Sequence, residues 1–240
     1  MDWTDDAIVL GLRKHGENDT IVTLFTAEHG RHLGIVHGGN GRRVRGIYQP
    51  GNRVRARWRA RLSEHLGSFT CELGKSYAGV ALDDPLRLAA LTSACAVANA
   101  SLPERELHAT AYQGFLDFLA ALDGEDWPSA YVRWELRLLA ELGYGLDLAT
   151  CAATGRVEDL LYVSPKSGHA VSAEAGAPYE NRLLPLPAFL TGEAAWDQAA
   201  IRDGLKLTGH FLARHVFAAR KEGEPAARSR FLGCMLEKIT

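Results

Sequence analysis

Arg53-Val54-Arg55-Ala56-Arg57-Trp58-Arg59-Ala60-Arg61 decides how the first third of this chain is read. Arginine fills every odd position, and Val54, Ala56, Trp58 and Ala60 fill the even ones, with Leu62 extending them. A β-strand sends alternate side chains to opposite faces. As a strand, the segment therefore carries five guanidinium groups on one face and an apolar row on the other. As a helix it would spread charge around its whole circumference and bury nothing. A strand over 53–61 with an unusually cationic face is the expectation. Charged residues also protect sheet edges from strand addition, but one or two suffice for that. Five in line point instead to a polyanion.

The surroundings agree. Arg31, Arg42, Arg43 and Arg45 precede the strand, and no Asp or Glu occurs between residues 31 and 61. Residues 1–80 carry 12 Lys and Arg against 8 Asp and Glu; the remainder carries 15 against 21. The net charge of −2 thus sums two unlike halves, a pattern expected of a polyanion-binding module joined to something else. The chain opens on the acidic Met1–Asp6, so no signal peptide is expected, and its longest mainly apolar run, 88–98, is too short to span a bilayer. Cys71, Cys95, Cys151 and Cys234 are scattered without a pairing pattern, so free thiols in a reducing cytoplasm are expected.

Working outward, residues 1–80 read as short strands: Ala7–Leu12, Thr20–Thr26, Arg31–His37, Ile47–Leu62 and Ser68–Ser76. Gly30, Gly38–Gly41, Pro50-Gly51 and Gly67 separate them. Five strands in about 80 residues suggest a small barrel of the oligonucleotide-binding (OB) type. Gly38–Gly41 does not fit either glycine-rich phosphate-loop pattern. It reads as a flexible hairpin tip carrying Arg42, Arg43 and Arg45. At Asp83-Asp84-Pro85 the texture changes, with Asp84 as helix N-cap and Pro85 in the first turn. Helices are expected over 86–100, 103–122 and 127–142, an irregular segment over 146–192, helix again over 195–221, and a last short helix after Pro225. The expected organisation is α+β and multidomain: a barrel domain, 1–80, then a helical domain, 81–240, containing the insertion 146–192.

Catalytic signatures are lacking. His210 and His215 are five apart and do not make a helical metal pair; no H-E-x-x-H and no G-x-S-x-G occurs. Asp5-Asp6 reads as a charged terminus, and no third carboxylate completes a metal site. No enzyme and no cofactor is expected. Trp58 should point inward, leaving Phe25, Tyr48 and Phe69 as conceivable stackers that core packing explains better.

Several stretches taken together are similar to one family. They are Ala7-Ile8-Val9-Leu10, Gly16-Glu17-Asn18-Asp19, Leu24–Gly30, Gln49-Pro50-Gly51, the arginine strand, Glu64-His65-Leu66-Gly67 and Trp134–Leu139. This collinear set resembles the bacterial recombination mediator family RecO. The resemblance implies an OB-fold, a helical domain and a zinc-ribbon-like insertion. It implies binding of single- and double-stranded DNA, annealing of complementary strands, and no nucleotide hydrolysis. The implied partners are RecR and single-stranded-DNA-binding protein (SSB), with RecA loaded indirectly onto SSB-coated DNA. The implied setting is a cytoplasmic, nucleoid-associated protein of DNA repair and recombination by the RecF pathway.

Many relatives carry two Cys-x-x-Cys pairs in the insertion. Here the first pair matches Cys151 and Thr154, and the second falls on Ser172 and Ala175. Zinc needs about four soft or imidazole ligands in a tetrahedron, and Cys151 with His169 cannot close one. The insertion is thus expected to be a degenerate ribbon without metal, packed around Leu160–Val163. DNA is expected on Arg31, Arg42, Arg43, Arg45, Arg53, Arg55, Arg57, Arg59 and Arg61. An acidic SSB tail is expected on the helical body, at Arg133 and Arg137, four apart on one helix face, with Arg214 and Arg220 as alternatives. The other class of function left open is an adaptor whose arginines meet an acidic protein surface. Salt-dependent DNA binding separates the two.

Overall fold

The computed structural model describes residues 1–192 and 195–237, and the side chains of Arg42, Arg43, Leu236 and Glu237 are outside the description. Five strands, β1 (Asp2–His15), β2 (Asp19–Thr26), β3 (Gly30–Val36), β4 (Arg53–Arg59) and β5 (Ser68–Lys75), close a barrel in the order β1-β2-β3-β5-β4. A short helix, α1 (Arg42–Arg45), lies between β3 and β4. Closure depends on β1, which is long enough to serve two neighbours. Its first half pairs with β4, from Asp2 opposite Arg59 to Ile8 opposite Arg53. From Ala7 onward it pairs with β2, with a bulge between Val9 and Gly11. The acidic opening of the chain is therefore strand, where a charged terminus was expected. Cross-strand hydrogen bonding overrides the low β-propensity of its aspartates.

The barrel is filled by Ala7, Val9, Val22, Leu24, Val36, Tyr48, Val54, Ala56, Trp58, Phe69 and Cys71. Its walls are covered unequally. The apolar runs Ala7–Leu10 and Ile21–Phe25 are buried throughout, Ile8 and Phe25 on the far face included. The cover comes from α3 (Pro85–Ser101), which packs on β1, and α4 (Ala109–Ala121), whose Tyr112 ring meets Phe25 edge-on at 5.2 Å. Between β5 and α3 lies the short α2 (Tyr77–Ala81). Asp84 caps α3, its Oδ1 accepting from the amides of Leu86 and Arg87. On the opposite wall, β4 and β5 alternate buried and exposed residues.

Residues 103–108, expected as the first turn of α4, instead run along the barrel. Arg105 N–H donates to the Arg31 carbonyl at 2.8 Å, and Arg31 pairs with Glu104 in a β-bridge. The approach requires Gly30, where a Cβ would come 1.9 Å from the Glu106 carbonyl oxygen. Contacts divide the chain into two compact units: Met1–Asp123 with Pro225–Cys234, and Gly124–Glu224 with Met235–Thr240. They part well beyond the compositional break at 81–84, because the first helices complete the barrel's cover.

In the second unit, α5 (Trp127–Glu141) buries Tyr131, Trp134, Leu138 and Leu139. The insertion is a small sheet, β6 (Leu160–Val163), β7 (Ala170–Ser172) and β8 (Leu184–Pro185), ordered β7-β6-β8, with α6 (Ala173–Gly176) after β7. Then come α7 (Gln198–Phe211), capped by Asp197, and α8 (Ala226–Glu237), which begins after Pro225 and is divided between the units. No helix among the described residues is long and apolar enough to cross a membrane.

Candidate nucleic-acid interface

β4 alternates as its sequence requires. Val54, Ala56 and Trp58 are buried, Arg55, Arg57 and Arg59 are exposed, and Arg53 is half-buried. The strand ends at Arg59, so Arg61 lies in the following turn and the expected row of five is a row of four. Trp58 is turned inward and stays there because Nε1 donates to the Leu66 carbonyl at 3.0 Å. Gly67, at φ +66°, leaves room for that ring.

Register decides what faces the arginines. Directly opposite residues share a face. Across β1 these are Asp2, Thr4 and Asp6; across β5 they are Ser68, Thr70 and Glu72. The Asp6 carboxylate lies 3.0 Å from Arg53 and 3.5 Å from Arg55, and the Asp2 carboxylate 2.9 Å from Arg57 and 3.8 Å from Arg59. The hydrogen bond from Arg57 holds the Asp2 carboxyl below its usual range, and the one Arg53 donates to the Asp6 carboxylate raises Arg53 further. Although residues 31–61 contain no acid, the row is half-neutralised in three dimensions. Exposed pairs of this kind are weak and screened by salt, so a phosphate can compete for each guanidinium.

The remaining arginines are dispersed. Arg31 Nε donates to the Leu102 carbonyl at 2.7 Å, which ties β3 to the segment before α4. Arg42, Arg43 and Arg45 form α1, and Arg45 is exposed. Their connection is not a hairpin tip, because β3 pairs with β2 and β5 and β4 with β1 and β5. It is fastened to the β1–β2 turn: Asn40 donates from N to the Asn18 carbonyl and from Nδ2 to those of Glu17 and Asp19, and Gly38 N–H donates to Asp19 Oδ1. The end of β1 that leads into that turn carries exposed Arg13 and Lys14, which sequence reasoning missed. Their signal was three consecutive basic residues, Arg13-Lys14-His15, beside a Gly-Glu-Asn turn. The rings weighed as stackers, Phe25, Tyr48 and Phe69, are all buried.

In the second unit Arg133 is committed to Phe189, donating to its carbonyl at 2.7 Å and lying 5.7 Å from its ring centre. Arg137 is exposed on the same helix and has partners of its own. Arg214 and His210 both approach the Pro165 carbonyl, at 2.6 and 3.0 Å, and Arg220 lies 3.8 Å from Glu222. In the insertion, three of the four positions matched to zinc ligands, Cys151, Thr154 and Ser172, do converge. Cys151 is buried, with Ser172 Oγ at 3.4 Å and Ser172 N–H donating to its sulfur at 3.2 Å. Burial opposes the thiolate. The hydroxyls of Ser172 and Thr154 and the amides of Ser172 and Ala153 outweigh it, bringing the thiol down to about 6. One sulfur, two hydroxyls and an alanine do not fit zinc. Among the described residues no group of three or more His, Cys, Asp or Glu is placed to hold a metal ion.

Comparison with known proteins follows this geometry. Residues 1–77 match the family model described as recombination protein O N terminal, and residues 82–224 the one described as recombination protein O C terminal. The chain belongs to the RecO family. It is 54% identical over 234 residues to the DNA repair protein RecO of Rhodospirillum centenum, covering 97% of this chain and 94% of the relative. For the DNA repair protein RecO of Rhodospirillum rubrum the figures are 52% over 240 residues, 97% and 95%. For that of Granulibacter bethesdensis they are 50% over 233 residues, 95% and 93%. Within this RecO chain, the fold is an N-terminal β-barrel followed by helices, and the arginine row lies on the barrel wall that the helices leave open.

Proposed function

We propose that this RecO protein is a non-enzymatic mediator of DNA repair that binds single- and double-stranded DNA along β4. The observation that carries the reading is the exposed row Arg55, Arg57 and Arg59 on the uncovered wall of the barrel. Guanidinium groups about 7 Å apart along a strand face meet successive phosphates of an extended backbone without reading bases. The exposed cations Arg13 and Lys14 at the end of β1 and Arg45 in α1, where the β1–β2 turn and the β3–β4 connection are joined, extend the cationic surface.

On this reading the protein anneals complementary strands and, with RecR, helps load RecA onto SSB-coated strands. The SSB tail docks on the helical body at the face of α5 where Arg133 and Arg137 are exposed. The names and identities of the relatives support the repair role; the annealing and partner roles rest on family resemblance and the cationic face.

The test is fluorescence anisotropy of single- and double-stranded oligonucleotides at several salt concentrations. Binding should fall linearly in log–log form, with about 0.7–0.9 of slope per neutralised phosphate. The triple variant Arg55→Ala, Arg57→Ala, Arg59→Ala should bind more weakly and with a slope shallower by about two. An unchanged slope in a folded variant rejects the β4 assignment.

A further inference from the structure

Beside the arginine row, within the same compact unit, lies a cavity of about 690 Å³. Trp3, His29 and Trp58 line it with rings, and Asp2, Glu28 and Arg105 are at its margin. The His29 ring stacks on Trp3 at 4.1 Å and 8° from parallel, and Trp3 lies 5.7 Å and 19° from Trp58. His29 is fixed by the Asp5 carboxylate, 3.1 Å from Nδ1, and Asp5 itself is buried and also accepts the Glu28 and Asp6 amides. His29 retains about a third of its side-chain exposure. Trp58 is buried, as Phe25, Tyr48 and Phe69 are, but the Trp3 and His29 rings are only half-buried and already ordered.

The cavity's charge selects its occupant. Asp2 and Glu28 repel phosphate. The Arg105 guanidinium is spent on the carbonyls of Ser63 and His65 and on Glu104. What suits such a site is a flat, neutral group with N–H donors on its edge. Asp2 also joins the cavity to the row, since it is the carboxylate that Arg57 and Arg59 share. A strand whose phosphates displace Asp2 from those arginines has its next base at the cavity mouth.

The geometry points to a binding site for one unpaired nucleobase, stacked on the Trp3–His29 ledge at the Arg59 end of the row. This deepens the proposed function and rests on β4 being the phosphate track. A base inside a duplex is already stacked and paired, so the site serves single strands only. Carboxylate acceptors favour the exocyclic amines of cytosine, adenine and guanine over thymine, which has a single ring N–H. Stacking of one base on an aromatic ledge distinguishes strands without stopping them from pairing elsewhere.

The experiment uses the full chain with short oligo(dC), oligo(dT) and duplex. Trp3→Leu is expected to weaken oligo(dC) binding about tenfold, to leave duplex binding within about twofold and the salt slope unchanged, and to narrow the preference for oligo(dC) over oligo(dT). Trp3→Phe, which keeps a ring, should recover most of the loss. Because Trp3 packs against the barrel, an independent arm uses unaltered protein: a strand carrying 5-iodocytosine is photo-crosslinked and the adduct mapped, with attachment at Trp3 or His29 expected. Equal losses on single strand and duplex, no loss at all, or adducts confined to other residues would overturn the site while leaving salt-dependent binding along β4 intact. Absence of salt-dependent binding to either DNA would instead remove the phosphate track, and the base site with it.

Discussion

At the scale of single residues, a shared carboxylate sets how much of an arginine's charge is offered outward. Asp6 lies between Arg53 and Arg55, and Asp2 between Arg57 and Arg59, so four guanidinium groups face solvent with two carboxylates among them. These aspartates keep the side chains extended and spaced, and they lower the attraction for any polyanion. Asp6→Asn retains the shape and a hydrogen-bonding oxygen but removes the charge. It should tighten DNA binding severalfold at low salt and steepen the salt slope by up to about one. Anisotropy titrations of the variant beside the unaltered chain check this, and weaker binding would mean that Asp6 positions the arginines rather than competing with DNA.

Elements in this chain serve where their hydrogen bonds place them. The insertion sheet brings Cys151 to the end of β7, where Ser172 and Thr154 satisfy the sulfur that zinc would otherwise take. A chelator should therefore leave the unfolding temperature unchanged. Proton linkage should not. The thiol falls from its usual value, near 8.5–9, to about 6 in the fold, so the folded state binds the proton more weakly than the unfolded chain. The stabilisation is complete above about pH 9 and is lost as pH falls toward 6. The gap in unfolding temperature between the unaltered protein and Cys151→Ala should accordingly widen from pH 6 to pH 9. A gap that narrows over that range would show the thiol to be neutral. In segment 102–106 the Leu102 carbonyl and the Arg105 N–H both bond Arg31 of β3, and the helix begins only afterwards.

For the molecule as a whole, a cationic wall on a barrel whose β1 and β2 are covered by α3 and α4 is suited to bringing two polyanions together. Phosphate-led contact leaves most bases free to pair, and no nucleotide-binding loop is present in the sequence. Mixing fluorophore- and quencher-labelled complementary strands, bare and SSB-coated, should show pairing accelerated by the protein equally with and without ATP. Strict dependence on ATP, or no acceleration, would reject annealing and leave DNA binding standing. The legible parts of this protein are those set by near neighbours in the chain. The alternation of β4 needs only its own residues and the pleat, Asp84 caps α3 across two and three positions, and the stripe of α5 follows from helical spacing. Family membership too was legible, from collinear short segments. Barrel closure decided the rest, because it chooses which distant residues meet. It set Asp2 and Asp6 among the arginines, stopped β4 at Arg59, sent Arg31 to the Leu102 carbonyl, and assembled a ledge from Trp3, His29 and Trp58, which lie on different strands or the turns between them. Charge neutralisation and ring stacking act over a few ångströms in space, and strand register, not sequence separation, determines which groups come that close.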